Sequence, residues 1–97
     1  MTIECIQTIG DLRDSMRRTL VMTLKRLESA EKHYRACAVA SRQACESRQS
    51  TYRVLARRTD RAYLQVRDLR DKVNAMHDRL SIIERDIAEN SRFRVIS

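Results

Sequence analysis

The sequence predicts an all-α fold, two long helices folded back on each other as an antiparallel coiled-coil hairpin, and three observations lead there. The first is composition. The 97 residues include no proline, no tryptophan and a single glycine, and 34% of them are charged. Nearly every position therefore tolerates a helix, and the usual marks of strands and loops are missing. The second is period. Val66, Leu69, Val73, Met76, Leu80, Ile83 and Ile87 follow one another in alternate steps of three and four, the spacing that keeps a narrow apolar stripe against a partner helix. The third is a slip in that period almost midway along the chain.

Extended from Val66, the register of the second half places Tyr52, Thr59, Val66, Val73, Leu80 and Ile87 at a positions. Leu55, Ala62, Leu69, Met76 and Ile83 fall at d. The e and g flanks carry Arg58, Gln65, Arg70, Lys72, Arg79, Glu84 and Asp86, which solvate the edges of the seam and restrict how a partner aligns. This arm reads as residues 52–90, ending near Asn90-Ser91, with 91–97 as a frayed or docking tail.

The first half, about 11–45, also reads as helix, with a broader ridge of Met16, Leu20, Leu24, Leu27, Ala30, Tyr34, Cys37, Ala38, Ser41, Ala44 and Cys45. Continuing the second register backwards would put Arg17 and Glu31 at a, a poor choice for a dry seam. A better one passes through Met16, Leu20, Thr23, Leu27, Ala30, Tyr34, Cys37, Ser41 and Ala44. Joining it to Tyr52 and Leu55 takes two successive four-residue steps, and the slip falls in the polar stretch "CESRQST". A turn at 46–51, centred near Gln49, sets Leu24 opposite Val73, Leu20 opposite Met76–His77, Met16 opposite Leu80 and Ile9 opposite Ile87. The hairpin would be about 55–60 Å long, from about 40 residues per arm. No Gly, Pro or Asn marks the bend, so one unbroken helix of about 130 Å, dimerising through a stuttered coiled coil, stays open as the alternative. Thr8 and Asp11 resemble a capping box at the start of the first arm. Ile3, Ile6 and Ile9 could form an earlier turn interrupted at Gly10. The small residues of "ACAVASRQAC" allow close helix approach beneath the bend.

Charge bounds the partners. With 20 basic and 13 acidic residues the net charge is +7, which suits an acidic protein surface, a nucleic acid or an anionic membrane. No apolar run approaches the roughly 20 residues that span a bilayer. The start, "MTIECIQTIGD", lacks the pattern of a secretory signal, so the expectation is a soluble, cytoplasmic protein. Attachment at the periphery of a membrane-embedded machine remains compatible with that. Cys37 and Cys45 lie roughly 12 Å apart by helical rise, too far for a bridge. They and Cys5 read as small buried or half-buried thiols. No glycine-rich loop, metal-ligand spacing or activated nucleophile is present, so no catalytic, metal or cofactor site is expected, and no enzyme. The candidate partner-binding residues are the stripe Arg53, Arg57 and Arg61, widened by Arg58, and the pair Arg17-Arg18. A solvated helical face is the plain alternative for all of them. A nucleic-acid-binding module is the second functional reading, weakened by the tyrosines, since Tyr34 and Tyr52 fall on the seam and Tyr63 at its edge.

The stretch "RLESAEKHYRACAVASRQACESRQSTYRVLARR" resembles the N-terminal arm of the FliJ/YscO family, stalk proteins of flagellar and virulence type III secretion systems. The likeness is a small basic helical protein with an "AEK" beginning, Ala- and Cys-containing repeats and a second heptad arm, over about two-thirds of the chain. The resemblance implies a hairpin that inserts into or beneath a hexameric export ATPase, couples that ring to the export gate, and hands over export chaperones. It transfers no family residue to a numbered position. A small secretion chaperone, packing its ridge on a partner helix, is a third reading.

Overall fold

The computed structural model of the chain describes the backbone of residues 3–96 and the side chains of residues 8–90. It consists of α1 (Ile3–Glu46) and α2 (Tyr52–Ile96), joined by residues 47–51. The helices run antiparallel and make a rod with extents of 74 × 15 × 13 Å. The rod exceeds the expected length because its arms hold 44 and 45 residues rather than about 40.

Both ends of the predicted arms require correction. Helix α1 runs straight through Gly10, so Ile9 is not part of a separate turn and Thr8 lies within the helix rather than at its start. One helical glycine costs only about 1 kcal/mol relative to alanine, too little to break a long helix. At the other end α2 does not stop near Asn90 but continues to Ile96. Asn90 turns its side-chain amide back to donate to the Asp86 carbonyl at 2.9 Å, four residues earlier, and no Gly or Pro follows to end the helix. The side chains of Cys5 and of residues 91–97 lie outside the described residues.

A left-handed cap makes the bend. Arg48 sits at φ 53°, directly after the last turn of α1. Its amide donates to the Cys45 carbonyl at 3.2 Å and the Gln49 amide donates to the Ala44 carbonyl at 2.9 Å. These two bonds satisfy the carbonyls that a helix end leaves orphaned, in the geometry usually reserved for glycine. Thr51 then opens α2, its carbonyl accepting from the Leu55 amide at 3.1 Å. Helix-end charges do not help. The last turn of α1 has no basic residue and ends on Glu46, while the first turn of α2 has no acid and carries Arg53, the wrong sign at each end for the helix dipoles.

The core is the seam. Leu20, Val73 and Leu80 form its centre, with Met16, Leu27 and Met76 packed against them. Towards the bend the buried positions become small: Ala30, Ala44 and Ala62 are 2–6% exposed, beside Val66. Thr23 is buried among the apolar residues, and its hydroxyl donates to the Thr19 carbonyl at 2.8 Å, so no buried polar group is stranded. Of the second-arm seam residues, Leu55, Leu69, Ile83 and Ile87 are half-buried, as is Tyr34 on the first.

Two of the proposed seam residues are not in it. Leu24 is 40% exposed; it stands one residue-step of about 100° from Thr23, beyond the stripe that two helices cover, and Leu20 and Leu27 pack with Val73 instead. Tyr52 is also 40% exposed, because it is the first residue of α2 and the chain opposite it is the turn.

Candidate interaction surface

Folding back brings the e positions of the two arms together on one side of the seam and the g positions together on the other. On the e side the charges match. Arg17 donates from Nε to the Glu84 carboxylate at 3.2 Å, and Arg70 donates to Glu31 at 3.2 Å. Two cross-seam ion pairs thus agree with the register that the short bend sets and add to it modestly. One helical turn nearer the bend, the Tyr34 and Tyr63 rings tilt against each other at 55° with a centroid distance of 5.9 Å, within the range favoured by aromatic pairs.

The g side is built differently. An open groove of about 1040 Å³ runs there between the helices, lined by Lys25, Arg26 and His33 of α1 and by Arg61, Asp68 and Lys72 of α2. Arg26 and Lys72 occupy facing g positions, so like charges meet where the other side has opposite ones. Among the described residues, Lys25, Arg26, Arg61 and Lys72 take part in no ion pair, and the one acid in the groove, Asp68, is engaged by its neighbour Arg67 at 3.6 Å.

The residues singled out from the sequence divide accordingly. Arg53, Arg57, Arg58 and Arg61 are all exposed near the bend, and none is ion-paired among the described residues. Arg17 is exposed but already bonded to Glu84 across the seam. Arg17 and Arg18 lie roughly 30–40 Å along the rod from the stripe, counted at helical rise, and belong to no common site with it. Residues 33–58, the bend and the adjoining turns, contain six arginines, no lysine and one acid, Glu46, and so hold most of the net positive charge. Lys25 and Arg26 were not candidates, because only the fold-back register sets them across from Arg61 and Lys72.

Cys37 is half-buried with Sγ 3.6 Å from His33 Nε2, whereas Cys45 is exposed rather than buried, on the flank of the seam. Among the described residues no three potential metal ligands converge, and no helix is long and apolar enough to cross a membrane. No protein-family model, curated protein or solved structure matches the chain.

Proposed function

We propose that the protein is a non-enzymatic structural adaptor, and more specifically the ATPase-associated stalk of a type III secretion apparatus, coupling the ATPase ring to the export gate and its chaperones from the cytoplasmic side. The observation that carries the adaptor part is shape. A rod of two helices that, among the described residues, bury little but the seam between them presents most of its side chains outward, as a spacer or coupling element requires. The secretion part rests on the resemblance of residues 26–58 and their following arm to the FliJ/YscO family. The unpaired stripe Arg53, Arg57 and Arg61 supplies a surface for an acidic ring. Replacing Arg57 and Arg61 by glutamate should weaken capture of the purified export ATPase while leaving helicity unchanged; full capture by the variant would remove the stalk assignment.

One observation favours nucleic acid as a second reading. Tyr52, at the bend, is 40% exposed among its arginines, and Tyr63, which also packs against Tyr34, is 49% exposed close by, so that aromatic surface lies beside cationic surface. Binding to phosphates would fall steeply as salt rises through counterion release, and a shallow salt dependence would exclude it.

A further inference from the structure

We infer that the g-side groove is a docking site for an acidic amphipathic helix of a partner protein, lying along the hairpin as the third helix of a bundle. This goes beyond the stalk assignment and does not rest on it. The groove combines two features that call for one kind of occupant. Its rims are cationic on both helices, with Arg26 facing Lys72 and with Lys25 and Arg61 beside them. Ala30 and the half-buried Leu69 lie between the rims, with the polar Ser29 and Gln65 beside them and Leu64, 45% exposed, on the outer wall. A helix with an apolar stripe edged by carboxylates satisfies both, placing its stripe between the arms and an acid beside each rim. Phosphates would use the rims and gain nothing from the apolar residues between them. A second copy presenting the same groove would set cation against cation.

The rims also break a rule that the e side keeps. Like charges at facing g positions weaken the hairpin, and departures of this kind gather where a surface serves a partner. Stability and binding should therefore respond to one change in opposite directions. Lys72→Glu gives Arg26 a cross-seam partner and should raise the melting temperature slightly while weakening docking.

The test titrates the full chain into a labelled synthetic helical peptide with leucines at a and d and glutamates at e and g, read by fluorescence anisotropy. The same peptide with glutamines for glutamates, and a short RNA duplex, serve as comparison probes. Saturable binding of the acidic peptide is expected, weakened at least about tenfold by Arg26→Glu with Lys72→Glu, and changed less than about twofold by Arg35→Glu with Arg53→Glu, which alter net charge equally on the e side. Equal binding of the glutamine peptide, equal loss in both variants, tighter binding of the duplex, or no saturable binding of the acidic peptide would each overturn the inference.

Discussion

Replacing Arg48 by glycine should stabilise the protein, and the sign of that change tests the fold itself. Arg48 holds φ at 53°, where an L side chain costs roughly 1–2 kcal/mol through the clash of Cβ with the following carbonyl. Glycine removes that cost and gives back about 0.5–1 kcal/mol through its greater freedom in the unfolded chain. The Arg48 side chain is exposed and makes no ion pair among the described residues, so nothing else is lost. Both cap bonds are made by backbone atoms and survive the substitution. The net gain should be about 0.5–1 kcal/mol, or a rise in melting temperature of about 3–6 °C for a domain of this size. In an unbroken helix, by contrast, position 48 would be interior, and glycine there would cost about 0.8–1 kcal/mol per chain. Thermal and urea melts followed by far-ultraviolet circular dichroism separate the two. A melting temperature that falls, or does not move, refutes the left-handed cap and with it the hairpin turn at this position.

Two further substitutions probe the arms. A Cβ built on Gly10 meets nothing within 4 Å, so Gly10→Ala should add up to about 1 kcal/mol of stability, and a lower melting temperature would show that the helix does not run through this point. Leu20→Ala, in the centre of the seam, should cost about 2–5 kcal/mol, enough to unfold a marginal domain. Leu24→Ala, at a site 40% exposed, should cost less than about 1 kcal/mol. Equal losses at the two positions would mean that α1 packs through a different face.

The heptad register made the second arm legible. Val66, Val73 and Leu80, set at a by spacing alone, are all buried. The first arm was harder, because its ridge is wider than two helices can cover. Periodicity gave Leu24 the same standing as Leu20, and only the partner helix decides between them. The bend lacked a residue that announces it, since the position that would normally be glycine is Arg48; the signals were the phase slip and the polar stretch it falls in. Gly10 and Asn90 misled in the opposite direction. Each resembles a helix boundary, yet a long helix with tertiary support absorbs a single weak residue. The paired and unpaired sides of the seam could not be read before the fold-back register was fixed, because each charge is ordinary in its own arm and becomes informative only beside the residue it faces.

The protein's surface connects these points. A compact monomer of this mass would expose about 5,800 Å², whereas the hairpin exposes 7786 Å². Among the described residues, three of the seven buried apolar ones are alanines and no large side chain is buried completely. Such a seam holds two helices together with little in reserve, so whatever binds the folded hairpin also contributes to its stability by mass action. The two flanks share that task unequally. On the e side, Arg17 with Glu84 and Glu31 with Arg70 complete the contact between the arms. On the g side, Arg26 and Lys72 oppose it until an acid lies between them. A carboxylate-edged helix would therefore stabilise the hairpin by neutralising that repulsion and by covering Leu64 and Leu69, so docking and completion of the fold would be one event.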